Sequence, residues 1–320
     1  MDNRTKVICV VGPTASGKTE IAARLARELG GEVVGADSMQ IYRGLDIGTA
    51  KPTEQEMLEV PHYMINVVEP GERYSVARYV SEASRVVDEI ASRGRVPVIA
   101  GGTGLYISSL VRGFSFENGE KCDTMDEKTV MHARRRLEEM YDRFGRDRMW
   151  RLLRQRDPVS ARGIHPNDRK RVVRALERSF EARTKGEADA ENRSQQARYN
   201  ALWFGLDYRD RALLYERINR RVDGMLQAGV LDEARWLRGI GGTAAQAIGY
   251  KELYPALDDP ALLDECVEVM KRATRRYAKR QLTWFRIQEK VTWFFRDETC
   301  TDEILRVSTG YARNFLYNQQ

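Results

Sequence analysis

Gly12, Gly17, Lys18 and Thr19 stand in the string GPTASGKT, spaced as G-x-x-x-x-G-K-[ST]. Glycines at those two places let a short loop turn its backbone N–H groups inward, the lysine neutralises phosphate oxygens, and the threonine hydroxyl can ligate Mg²⁺. With Thr14, Ala15 and Ser16 completing it, the loop reads as a cradle for a diphosphate, Thr19 being the magnesium ligand. Nothing in it demands adenosine. Further along, GADS sets Asp37 beside Ser38, and IAGGTGLY sets Thr103 after two glycines. A carboxylate beside a phosphate site can orient an acceptor group and take its proton. The bland alternatives are a turn or helix cap for Asp37 and an ordinary turn residue for Thr103.

These residues act together only if the fold gathers them. KVICVV reads as a short apolar strand, KTEIAARLARELG as an amphipathic helix closed by Gly30, and EVVGAD as a second strand. VARYVSEASRVVDEIASRG then reads as a helix and VPVIAGG as a third strand. Strands alternating with helices predict an α/β fold, a P-loop NTPase-like parallel sheet with helices on both faces. Ligands of open α/β sheets bind outside the carboxyl ends of the strands, so the loop, Asp37 and Thr103 are expected in one cleft. P-loop ATPases usually end an apolar strand on an acidic residue that holds Mg²⁺, whereas VPVIA runs into Gly-Gly-Thr.

After GFSFENGEKCDTMD the pattern changes to charged helices, in VMHARRRLEEMYDRFG, DRMWRLLRQ and DRKRVVRALERSFEART, before ALWFGLD restores a strand. This predicts an all-helical domain over residues 116–200, inserted into an α/β core made of 1–115 and 201–320. The last strand-like stretch is VTWFF. Net charge is +6, yet Met131 to Lys185 alone holds 17 basic residues against 8 acidic ones, so the surplus is local. A local basic field suits a nucleic-acid partner, although a charge run alone is more often a solvated helix face. Arg272, Arg276 and Arg280 recur at four-residue spacing, on one helical face suited to tracking phosphates.

With 42% hydrophobic residues in 320, the chain can bury a proper core. It has no apolar run long enough to span a membrane and no signal-peptide pattern, so a cytoplasmic protein is expected. Cys9, Cys122, Cys266 and Cys300 lack paired spacing, which argues against a disulfide framework or a zinc site. With only His62, His132 and His165, no histidine metal cluster is expected; His165 reads as a loop residue before a helix capped by Asp168.

Eight segments, in order from Gly12 to Arg286, carry a family resemblance: GPTASGKT, DSMQIYRGLDIGTAKP, PHYMINVVEP, YSVARY, VIAGGTGLY, IHPNDRKRVVRALE, AIGYKE and YAKRQLTWFR. Together they resemble the tRNA dimethylallyltransferases, the isopentenyl-tRNA transferase family, in its bacterial form. The likeness is weak only in SFENGEKCDTMDEKTVM and GEADAENRSQQARY. It implies that the loop holds the diphosphate of dimethylallyl diphosphate rather than ATP, and that the acceptor is N6 of adenosine 37, beside the anticodon of tRNA. On this resemblance Asp37 is the general base, Thr103 contacts the acceptor nucleotide, and Arg217 in LLYERINRR contacts the diphosphate, with Arg221 as the alternative. Asp37, Ser38, Met39 and Gln40 would meet the flipped base, and Lys170, Arg171 and Arg174 the anticodon loop, while the basic insertion would grip the stem. Mg²⁺ is the implied cofactor and a monomer the implied state. The rivals are a P-loop small-molecule kinase, which has no use for the basic insertion, and a non-catalytic RNA-binding protein, which leaves the phosphate loop unexplained.

Overall fold

The structure, a computed structural model, describes residues 2–114, 127–180, 196–288 and 290–317. Cys122, Arg183, Lys185 and the expected boundary at 115–116 lie outside these residues. The chain divides into two compact units, one made of Met1–Gly113 with Arg198–Gln320 and the other of Phe114–Ala197.

The first unit is built on six parallel strands, β1 (Lys6–Val11), β2 (Gly31–Gly35), β3 (His62–Tyr63), β4 (Val96–Gly101), β5 (Asn200–Asp207) and β6 (Thr292–Phe295). Their order across the sheet is β3-β2-β4-β1-β5-β6. In chain order the α-helices are α1 (Lys18–Leu29), α2 (Glu54–Met57), α3 (Val76–Ser92) and α4 (Gly104–Arg112). Then come α5 (Glu127–Phe144), α6 (Arg146–Arg156), α7 (Pro158–Gly163) and α8 (Arg169–Arg178) of the second unit. The first unit resumes with α9 (Arg211–Gln227), α10 (Val230–Ile240), α11 (Tyr254–Asp258), α12 (Leu263–Gln288) and α13 (Thr301–Tyr317).

The unbroken apolar run of β1 follows from burial on both faces, as a central parallel strand requires. Ile8 and Val10 face Ile21, Leu25 and Leu29 of α1 and Ile304 and Leu305 of α13. Leu25 is fully buried, and Leu25→Ala would cost about 2–5 kcal/mol. Cys9, alternating to the opposite face, lies near Tyr79 of α3, whose ring stacks on Tyr106 of α4 at 4.2 Å. Ser75 caps α3 by accepting the Arg78 N–H, and Gly30 ends α1 in the left-handed conformation. Cys9 and Cys266 are buried free thiols and Cys300 an exposed one.

Strand order fixes where a ligand can sit. The connection after β1 crosses β4 to reach β2, while the connection after β4 crosses β1 to reach β5. The switch point therefore falls between β1 and β4, whose carboxyl ends carry the GPTASGKT loop and Gly101-Gly102-Thr103.

In the second unit Leu137, Tyr141, Met149, Leu153, Val172 and Leu176 gather in one core from α5, α6 and α8. Asp157 caps α7 through the Ser160 N–H, and Asp168 caps α8 through the Arg171 N–H. His165 sits in the loop before α8, its Nδ1 accepting the Asn167 N–H. Among the described residues no helix is long and apolar enough to cross a membrane, and no group of His, Cys, Asp and Glu is arranged to hold a metal ion.

Candidate active site

The loop after β1 has the backbone its motif demands. Gly12 takes φ 145°, and a Cβ there would stand 2.4 Å from the Leu206 carbonyl oxygen of β5, so only glycine fits. Ala15 holds φ 63°, a left-handed conformation that costs a non-glycine residue about 1–2 kcal/mol and that the surrounding packing must sustain. Ser16 is fully buried, and its hydroxyl has no hydrogen-bond partner among the described residues. An orphaned hydroxyl costs about 1–3 kcal/mol.

Lys18 opens α1, and its Nζ donates to the Pro13 carbonyl at 2.6 Å. Burial first and the Arg221 charge second pull its pKa down from 10.5 to about 7, against the opposing pull of Asp37. Arg217 and Arg221 come off one face of α9 and both reach the loop. Arg217 Nε donates to the Ala15 carbonyl at 3.2 Å, and Arg221 donates to Thr14 Oγ1 at 3.2 Å and to the Ala50 carbonyl at 3.4 Å. Both arginines between which the sequence leaves a choice thus reach the loop. Thr19, next in the helix, is partly exposed.

The residues on either side of Asp37 are fastened to the Thr103 turn by backbone and side chain. The Ala36 N–H donates to the Ala100 carbonyl at 2.8 Å and the Thr103 N–H to the Ala36 carbonyl at 3.1 Å. Thr103 Oγ1 accepts the Ser38 N–H at 3.0 Å and lies 3.3 Å from Ser38 Oγ. Asp37 Oδ1 accepts the Met39 N–H at 2.9 Å, which is the turn-capping role, and this occupies only one of its two oxygens. The Asp37 charge acts on Lys18, Arg221, Tyr106 and Tyr277, so the carboxylate stands amid two cations and two phenols. Met39 packs against the apolar cluster around Ile41 and Leu45, and the Gln40 amide donates to the Thr49 and Ala50 carbonyls at 3.2 and 3.1 Å.

The other expected residues are on surfaces. Arg272, Arg276 and Arg280 are exposed on α12, with Arg280 over the Tyr277 ring at 5.6 Å. Lys170, Arg171 and Arg174 are exposed on α8. Arg171 pairs with Asp168 at 3.4 Å, and Arg174 with the buried Glu177 carboxylate at 2.5 Å, which Arg134 also holds at 2.9 Å. No ion pair engages Lys170 among the described residues.

Three residues near the loop escape a reading of the sequence. Gln281 of α12 bonds Thr14 and Gly102, and Tyr277 stands one turn before it. Asp207 ends β5 fully buried, so the sheet does have an acidic strand end, on the other side of β1 from the strand where the sequence lacks one. Its oxygens are taken by Arg211 at 2.6 and 2.9 Å and by Arg286 at 2.7 Å, which leaves it neutralised rather than open to a cation.

A G-x-x-x-x-G-K-T loop at the switch point of a parallel sheet, met there by a carboxylate and a hydroxyl from the two neighbouring strand ends, defines an α/β group-transfer protein of the P-loop type. Comparison with known proteins narrows this class. The model of the IPP transferase family matches residues 40–288 and that of isopentenyl transferase residues 5–70, and the chain belongs to the IPP transferase family. It is 45% identical to the tRNA dimethylallyltransferase of Bacillus subtilis, covering 91% of this chain and 92% of that protein. It is 43% identical to that of Caldanaerobacter subterraneus subsp. tengcongensis, over 94% and 95%. Among solved structures it resembles a tRNA isopentenylpyrophosphate transferase from Staphylococcus epidermidis, with TM-score 0.70, 37% identity and coverage of 98% and 100%. It also resembles a eukaryotic dimethylallyltransferase caught acting on tRNA, with TM-score 0.80, 27% identity and coverage of 99% and 80%.

Proposed function

We propose that this chain transfers the dimethylallyl group of dimethylallyl diphosphate to N6 of adenosine 37 in tRNA, releasing pyrophosphate. In that step the allylic C–O bond breaks, the C–N bond forms, and the amine gives its proton to Asp37. An exocyclic adenine amine is a poor nucleophile, so a carboxylate must orient it and accept its proton as the bond forms. The growing charge on the leaving diphosphate falls to Lys18, Arg217, Arg221 and the loop N–H groups. The observation that carries the reading is the phosphate loop at the same sheet edge as Thr103, whose Oγ1 accepts the N–H of Ser38, the residue next to Asp37.

The orphaned Ser16 hydroxyl supports an anion at the loop, since a phosphate oxygen supplies the acceptor it lacks. The donor set also fits Mg²⁺, a cation that prefers oxygen ligands and substrate phosphates. Thr19 would hold it with the diphosphate, where it would offset leaving-group charge. The target base would leave its stack to meet Asp37, Ser38, Met39, Gln40 and Thr103, an excursion cheaper from a single-stranded loop than from a duplex. Lys170, Arg171 and Arg174, and separately Arg272, Arg276 and Arg280, would take RNA phosphates. The working state is a cytoplasmic monomer.

Incubation with unmodified tRNA and either dimethylallyl diphosphate or ATP tests the reading. Mass spectrometry of the digested tRNA should show prenylated adenosine with the first donor. ATP should give no product and no tRNA-stimulated phosphate release. Robust ATP turnover without prenylation would return the chain to the kinase reading.

A further inference from the structure

We propose that Gln281, together with Tyr277 one helical turn before it on α12, is a positioning residue that registers the diphosphate loop against the acceptor loop. The proposal rests on the transfer reaction just described.

Gln281 is 5% exposed and bridges two loops that are distant in sequence. Its Oε1 accepts the Thr14 N–H of the phosphate loop at 2.9 Å, and its Nε2 donates to the Gly102 carbonyl at 3.0 Å, one residue before Thr103. A side chain at position 102 would have its Cβ 2.1 Å from Nε2, so the amide occupies the space that a glycine leaves. Only a group that accepts at one end and donates at the other satisfies both loops, and a primary amide is that group.

Tyr277 extends the link. Its phenol stands within polar range of the Gln281 and Thr103 side chains, and Thr103 in turn holds the Ser38 N–H. One polar path thus runs from Thr14 through Gln281, Tyr277 and Thr103 to the residue beside Asp37. Arg221 meets the same path at Thr14 Oγ1. A reaction between a donor held by one loop and an acceptor held by another depends on their register, and a misplacement of about 1 Å costs on the order of 10²-fold in rate. Neither residue touches the reacting atoms in this account; both act through the loops they tie.

The test compares Gln281→Met, Gln281→Glu and Tyr277→Phe with wild type in single-turnover prenylation, alongside calorimetric titration with dimethylallyl diphosphate. Gln281→Met should lower the rate of transfer about 10- to 100-fold, with the diphosphate Kd changed less than about 3-fold. Tyr277→Phe should show the same split, and the double variant should be no slower than the slower single one, because both break one path. Gln281→Glu keeps the shape but cannot donate while ionised, so its rate relative to wild type should rise as pH falls and the buried carboxyl takes up a proton. Should Gln281→Met fail to fold, the other two variants carry the test. Wild-type rates in the variants, a Kd that rises in step with the lost rate, or a flat pH ratio for Gln281→Glu would each overturn the proposal. An inactive wild type would instead defeat the reaction on which it rests.

Discussion

Lys18 Nζ donates to the Pro13 carbonyl at 2.6 Å, inside the loop it serves. Half-buried there and desolvated beside Arg221, the ammonium has its pKa pulled down from 10.5 to about 7. On the proposed reaction, an arriving diphosphate would reverse the local charge and restore the proton.

Proton uptake should therefore accompany diphosphate binding. Calorimetry at pH 8 in buffers of different ionisation enthalpy should show about one proton taken up per diphosphate bound, and close to none at pH 6. Lys18→Arg should abolish the uptake, because a guanidinium stays protonated throughout. The same shift sets a stability trend. Between about pH 7 and 10.5 the unfolded chain holds a proton that the folded chain has shed, so this residue makes the fold more stable as pH rises through that window; below pH 7 its contribution is constant.

Arg217 and Arg221 should both matter for the diphosphate, since each already reaches the loop, at Ala15 and at Thr14. Replacing either by alanine should weaken dimethylallyl diphosphate binding about 10- to 100-fold, the usual worth of a hydrogen bond to a charged group. Arg221→Lys should also be impaired, because a single ammonium reproduces poorly the fork that spans Thr14 and Ala50. An unchanged Kd for one alanine variant would assign the diphosphate to the other arginine.

On α8 the three basic residues should not be equal. Lys170→Gln and Arg171→Gln should each flatten the salt dependence of tRNA binding by about one phosphate contact, a slope change near 0.9 for duplex and 0.7 for single-stranded RNA. Arg174→Gln should change it less, because Glu177 already holds that guanidinium. Identical slopes for all variants and wild type would make this helix face a solvated surface. The diphosphate Kd should not move in any of them.

How much of this was legible beforehand depended on distance along the chain. The phosphate loop is contiguous, and its glycines, lysine and threonine announce it with the strand before and the helix after. Long apolar runs such as KVICVV and ALWFGLD carry enough burial to be read as strands, whereas β3, only His62–Tyr63, is too short to leave a pattern. Asp37 and Thr103 were readable as strand-end residues because parallel strands bring their carboxyl ends to one edge. Gln281 was not, since its partners Thr14 and Gly102 lie far away in sequence and a glutamine within a basic helix gives no local sign of burial. Asp207 was hidden in the same way, as its pairing with Arg286 spans β5 and α12. Gln40 likewise has its amide held by the carbonyls of Thr49 and Ala50, a contact its motif does not announce.

The most direct measurement is single-turnover prenylation of tRNA by Asp37→Asn at saturating dimethylallyl diphosphate, with the diphosphate Kd measured in parallel. Asparagine keeps the size of the side chain and an acceptor for the Met39 N–H, so the turn should hold, but it cannot take the amine proton. Transfer should be slowed by about 10² to 10⁴, the worth of a positioned general base, with little change in diphosphate binding. Transfer at the wild-type rate would contradict that role, leaving Asp37 a turn cap and sending the proton out by another route.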